Sequence, residues 1–127
     1  MTAHPPASIF RAAGATFTPQ TGTAFEMHEN GLVEATGGQW TARIFRATTE
    51  GDVARALHWH DATFQYVHVL SGEIEYLLDC GRRERLQAGD AIYQPTGCIH
   101  CVTHVSKDLV LLEIFSPVDV HTTRVAE

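Results

Sequence analysis

The sequence predicts a single all-β domain, a sandwich or barrel of antiparallel strands. Three observations carry that expectation. From about Gln39 to Pro117 the chain runs as short segments rich in β-branched and aromatic residues, seven or more of them at near-regular spacing. Gly, Pro, Ser and Asp clusters separate these segments. No stretch after residue 39 carries a capped apolar period of 3.6 residues, so helix content should be low.

The elements follow in order. The first 25 residues hold Pro5, Pro6, Gly14, Pro19 and Gly22 and read as an extended N-terminal arm, with one strand near Thr23–Met27. The barrel domain is assigned to 26–127. WTARIFRAT alternates polar and apolar positions until EGD interrupts it. ALHWH runs to Asp61, and FQYVHVL ends at Ser71-Gly72. EIEYLLD stops at Cys80-Gly81, RERLQ leads into Ala88-Gly89-Asp90, and AIYQP ends on Pro95. IHCVTHV and LVLLEIF are divided by Ser106-Lys107-Asp108 and closed by Pro117.

Composition bounds the function. At 127 residues, 44% hydrophobic and 19% charged, the chain suits one domain with a real core. Nine basic residues against fifteen acidic ones give a net charge of -6, which repels phosphate backbones and anionic lipid, so neither nucleic acid nor membrane is an expected partner. No run approaches the roughly 18 apolar residues of a membrane span. The N-terminus has no secretory pattern, so a cytoplasmic location is expected. Cys80, Cys98 and Cys101 are an odd set, which argues against a disulfide framework. The C-x-x-C of Cys98 and Cys101 lacks the βαβ context or second pair that would give it a redox or zinc role.

Eight histidines are the most informative feature. His4, His28 and His121 fall near the termini or in the arm and read as solvated. His58 and His60 are two apart on a strand and project to one face. Two inward imidazoles left unpaired would each cost about 1–3 kcal/mol, and a shared metal ion satisfies both. A turn at Asp61-Ala62-Thr63 returns the chain so that Gln65, Val67 and Val69 share a face. His68 then lies on the other. After Pro95-Thr96-Gly97 the next strand carries His100, Val102 and His104 on one face by the same alternation. His104 is therefore expected in the cavity, as an outer hydrogen-bond donor or proton shuttle rather than a ligand. Trp40, Ile44, Phe64, Val67 and Val102 are the expected apolar lining. Alternation does not fix which face Tyr93 lines. Glu113 interrupts LLEIF and reads as an outward or interface residue.

These residues, in this order, resemble the cupin superfamily. The first cupin motif, a glycine, H-x-H, an acidic residue and a second glycine, is matched by Gly51, His58, His60, Gln65 and Gly72, with one extra residue between Gly51 and His58. The second, G-x5-P-x-G-x2-H-x3-N, is matched by Gly89, Pro95, Gly97, His100 and His104. Gln65 replaces the usual glutamate and His104 the asparagine. The resemblance spans residues 51 to 104. It implies a jelly-roll β-barrel whose metal sits at the bottom of an open mouth, held by His58, His60 and His100, with Gln65 as fourth ligand. Small cupins with this glutamine include dioxygenases, isomerases, lyases and polyketide cyclases, so the fold does not choose the reaction.

The glutamine has a physical consequence. Three neutral imidazoles and a neutral amide leave the full charge of a divalent ion, which sharpens its Lewis acidity and attracts enolates or keto acids. Imidazole-rich ligation suits Zn, Fe, Ni or Cu, and the sequence does not choose among them. The expected function is a metalloenzyme acting on a small oxygenated metabolite by isomerisation, cyclisation, elimination or dioxygenation, with His104 handling the proton. The alternative is a non-catalytic cupin that binds or senses a small molecule. A homodimer is expected, through outer-face Tyr66, Leu70 and Tyr76.

Overall fold

The computed structural model describes residues 4–79, 81–117 and 119–125. Strands β1 (Thr18–Pro19), β2 (Phe25–Glu29) and β3 (Thr41–Ala47) begin the fold, with a one-turn helix α1 (Leu32–Ala35) between β2 and β3. Then come β4 (Gly51–Asp52), β5 (His58–His60), β6 (Phe64–Ser71), β7 (Glu73–Leu78), β8 (Arg83–Gln87) and β9 (Ala91–Tyr93). Strands β10 (His100–Val105), β11 (Val110–Ser116) and β12 (Thr122–Arg124) complete it. Every segment after residue 39 with a strand-like pattern forms a strand. Among the described residues no helix is long and apolar enough to cross a membrane.

The strands form two antiparallel sheets in a jelly roll. One runs β1-β2-β3-β11-β6-β9, the other β12-β5-β10-β7-β8, with β4 also paired to β10. The chain passes between sheets at the tight corner from β6 to β7. There Gly72 adopts φ 74, and a Cβ on it would lie 2.6 Å from the backbone nitrogen of Leu109, so only glycine fits. Ser106 locks the same corner: its Oγ accepts from the Glu73 N–H at 2.8 Å.

Strand alternation decides what enters the core. In β6 Gln65, Val67 and Val69 are buried, while the side chains between them are half-buried. Val67, Val69 and Leu111 of one sheet meet Ile74, Tyr76 and Val105 of the other, with Ala24 and Leu109 completing the cluster. Dispersion and the removal of this apolar surface from water hold the two sheets face to face.

Several details differ from the expectations. Tyr76, expected on the outer face, is buried in the core because it shares parity with Ile74, and only Leu70 and Tyr66 remain on the outside. Trp40, Ile44 and Phe64 do not line the interior. In β3 the alternation sends Arg43 and Phe45 inward instead, and Trp40 packs edge-on against Phe64 outside, 5.4 Å between centroids. β1, β4, β12 and α1 were not foreseen, being too short for a periodic signal. Phe17 ties the early segment down: its ring carries the Arg46 guanidinium 3.5 Å from the centroid and lies 5.7 Å from the His28 ring. Cys98 and Cys101 are free thiols; Cys80 lies outside the described residues.

Candidate metal centre

The centre is assembled by three short strands side by side. On β5 the side chains of His58 and His60 point the same way. β10 sets His100 directly opposite His58, and β12 sets Thr122 opposite His60. The three rings converge, with centroids 4.4 Å (His58–His100), 4.8 Å (His58–His60) and 5.2 Å (His60–His100) apart. Their candidate ligand nitrogens lie within 4.8 Å of one another, so the cluster can hold a metal ion.

Each ring is oriented through its other nitrogen. Nδ1–H of His58 donates to the Ala56 carbonyl at 2.8 Å, and that of His100 to the Cys98 carbonyl at 3.0 Å. His60 Nδ1 lies 2.8 Å from the Thr122 hydroxyl. Donation from Nδ1 fixes the tautomer that leaves Nε2 with a free lone pair, the form a metal requires. Burial, helped by the neighbouring imidazoles, pushes His60 and His100 down to about 4, so both are neutral at physiological pH. Two uncharged, pre-oriented imidazoles and a third opposite them fit a divalent transition ion by chemistry as well as position.

Gln65 lines the same cavity from β6 of the opposing sheet. Its Nε2 donates to Glu113 Oε2 at 3.2 Å, which turns the amide nitrogen toward the carboxyl. Glu113 departs from its expected outward position. β11 is sandwiched between β3 and β6, and Glu113 pairs with inward-facing Val67 and with Arg43. Burial raises its pKa; the Gln65 hydrogen bond and the charge of Arg43 oppose that shift. The clue in the sequence was parity: Leu111, Glu113 and Phe115 alternate, and both apolar partners are buried.

His104 does not join the centre. The alternation that would place it beside His100 is broken by a β-bulge between Val102 and His104, where Thr103 is the unpaired extra residue. After the bulge Val105 takes the inner position, and His104 faces out opposite Glu75, its Nδ1 3.1 Å from exposed Asp52 Oδ1. His68 is off the site as expected, its Nδ1 3.2 Å from the Tyr66 hydroxyl. Tyr93, 54% exposed, belongs to the outer face of edge strand β9.

The histidines open into a cavity of about 490 Å³ between the sheets, within the ordinary size for a small-molecule site. Phe45, Val53, Val67, Ile74 and Leu111 supply much of its apolar wall; its polar groups include Arg43, Gln65, Tyr76, Gln94, Glu113 and Arg124. A smaller cavity of about 140 Å³ adjoins it, sharing Arg43, His60, Gln65, Glu113 and Thr122.

Comparison with known proteins places this architecture. KdgF from Halomonas sp. superimposes with a TM-score of 0.72 at 22% identity, over 88% of this chain and 94% of that one. The polyketide cyclase RemF from Streptomyces resistomycificus does so with a TM-score of 0.75 at 18% identity, over 96% of this chain and 87% of its own. Oxalate decarboxylase from Bacillus subtilis gives 0.67 at 16% identity, over 96% of this chain but 33% of that larger protein. In sequence, an uncharacterised protein of Aquifex aeolicus is 41% identical over 58 residues, a stretch covering 46% of this chain and only 45% of that protein. The Cupin domain family matches residues 46–115, which run from the end of β3 through β11 and contain all three histidines and Gln65. With more than half its length matched, the chain belongs to the cupin domain family.

Proposed function

We propose that this cupin is a metal-dependent enzyme that moves a proton on a small oxygenated metabolite bound at the three histidines. The observation that carries the reading is the pairing of two features that line one cavity from its two opposing sheets. One is the His58–His60–His100 cluster with its nitrogens already oriented. The other is the half-buried Glu113 carboxyl, held by Gln65 at 3.2 Å. A sensor or storage protein needs the first; a carboxyl of raised pKa lining the same cavity is what general acid–base chemistry needs.

The ion that His58, His60 and His100 would hold supplies Lewis acidity toward a carbonyl, enolate or carboxylate oxygen. Zn, Fe, Ni and Cu all suit such donors. The protein's own groups do the rest. Gln65 adds no charge, so the ion's attraction for an oxyanion is not reduced by a ligand. Glu113 gives a proton to, or takes one from, an atom of the bound molecule, and Gln65 steadies the carboxyl through the transfer. The apolar wall excludes water, which strengthens each of these interactions. Isomerisation, cyclisation and elimination all need such a proton transfer. RemF is named a polyketide cyclase and the B. subtilis neighbour an oxalate decarboxylase, but at 18% and 16% identity they support the fold rather than the reaction.

The test is proton exchange. Metal-loaded protein should catalyse exchange of acidic C–H protons of 2-oxo acids or 1,3-dicarbonyls in D₂O, followed by NMR. Glu113→Gln should slow that exchange by about 10²-fold, the usual size of a lost general acid or base. Wild-type protein no faster than buffer across both classes would favour a binding role instead.

A further inference from the structure

Arg43 has an unusual position. It projects from β3 into the polar end of the fold, lining both the large cavity and the smaller one beside His60. Its Nε is buried and has no hydrogen-bond partner among the described residues. The nearest carboxylate oxygen, Glu29 Oε2, stands 3.9 Å from that nitrogen, beyond hydrogen-bond length. Glu113 also faces Arg43, but its Oε2 is taken by Gln65. The guanidinium otherwise rests over the Phe115 ring, 4.7 Å from the centroid.

A guanidinium keeps its charge at any physiological pH and carries five N–H donors in a planar fork. A buried donor without a partner loses its hydrogen bond to water with nothing in return, and the loss is larger for a charged group. Such a group is retained where something supplies the missing acceptor. The fork matches a carboxylate, which accepts two parallel N–H bonds. Room for one exists in the adjoining cavity of about 140 Å³, walled by Arg43, His60, Gln65 and Thr122 together with the Glu113 carboxyl, whose Oε2 is engaged by Gln65.

We propose that Arg43 is a specificity-determining residue that binds a carboxylate of the substrate, making the ligand class 2-oxo or 2-hydroxy carboxylates with an apolar remainder. The carboxylate sits at Arg43, the oxygen on the next carbon faces the histidine cluster, and the apolar remainder fills the large cavity along Phe45, Val67 and Leu111. The placement of that second oxygen rests on the metal-centre reading above; the carboxylate contact does not.

Two probes separate the parts. 2-Oxohexanoate and 2,3-heptanedione share a butyl chain and a dicarbonyl core, but only the first has a carboxylate. Both are titrated calorimetrically into wild type, Arg43→Gln and Arg43→Lys, each loaded with zinc and again after stripping. The wild type should bind 2-oxohexanoate at least tenfold tighter than the dione. Arg43→Gln should lose that preference while keeping its affinity for the dione. Arg43→Lys, with the charge but without the fork, should fall between. Equal wild-type affinity for the two probes overturns the proposal even if a variant fails to fold, as does an unchanged preference in Arg43→Gln. Zinc that leaves both affinities unaltered, with the carboxylate preference intact, contradicts the metal-centre reading alone.

Discussion

His60 and His100 are held neutral by burial, and that sets the pH behaviour of the metal-free protein. Their folded pKa values, about 4, lie below the ordinary 6.5. Between those values the unfolded chain binds more protons than the folded one, so stability falls as pH drops from about 6.5 to about 4 and levels off below. Denaturant titrations across that window should show the loss, and His100→Gln should flatten it. Glu113 has the opposite sign. Its pKa is raised, so its contribution is intact below the ordinary carboxylate range and is lost as pH climbs through the raised value. Glu113→Gln should therefore reduce the decline of stability with rising pH while slowing proton exchange, a pair of outcomes that chemical denaturation and NMR check together. At this scale the histidines were legible because H-x-H on a strand puts two imidazoles on one face, which packing alone rarely calls for. Glu113 was not: inside LLEIF a carboxylate reads as a surface residue unless the neighbours of its strand are known. Alternation with buried Leu111 and Phe115 turns it inward, a parity that decides only once the inner face of β11 is known.

Single elements show why alternation worked in one strand and failed in another. β6 is regular along its inner face, so counting by twos from Gln65 correctly placed Val67 and Val69 inside and His68 outside. β10 carries a bulge at Thr103, and one extra residue reverses every later side chain, which is how His104 left the cavity. Thr103 gives no sign of this in sequence; its hydroxyl donates to Glu75 Oε1 at 2.8 Å, a contact made only in the folded sheet. The β6–β7 corner was visible as Ser71-Gly72, and the structure supplies its reason. With φ 74 and the Leu109 backbone against the missing Cβ, Gly72→Ala should cost about 2–4 kcal/mol by combining backbone strain with a steric clash. An unchanged midpoint in urea would mean the corner is free to relax. Ile74→Ala, on the strand that leaves this corner, should cost about 2–5 kcal/mol because Ile74 is fully buried where the sheets meet.

Across the whole molecule, two antiparallel sheets enclose a cavity whose floor is core and whose wall is chemistry. The fold class was readable because short strands, turns and two spaced histidine motifs agree, and agreement between levels is stronger than any one pattern. The ends were less readable. β1 and β12 are held by pairing with β2 and β5, not by any periodicity of their own, yet β12 brings Thr122 to His60 and so helps build the centre. Because the ligands come from β5 and β10, which the metal would bridge, binding should stabilise the folded chain by about 2.7 kcal/mol when free metal exceeds its dissociation constant a hundredfold. The most direct test of the metal centre is elemental analysis, by plasma mass spectrometry, of wild type beside His58→Ala and His100→Ala after equal exposure to zinc and desalting. One ion per wild-type chain and almost none in either variant is the expected result. A wild type that retains no zinc, or variants that retain as much as the wild type, would contradict it.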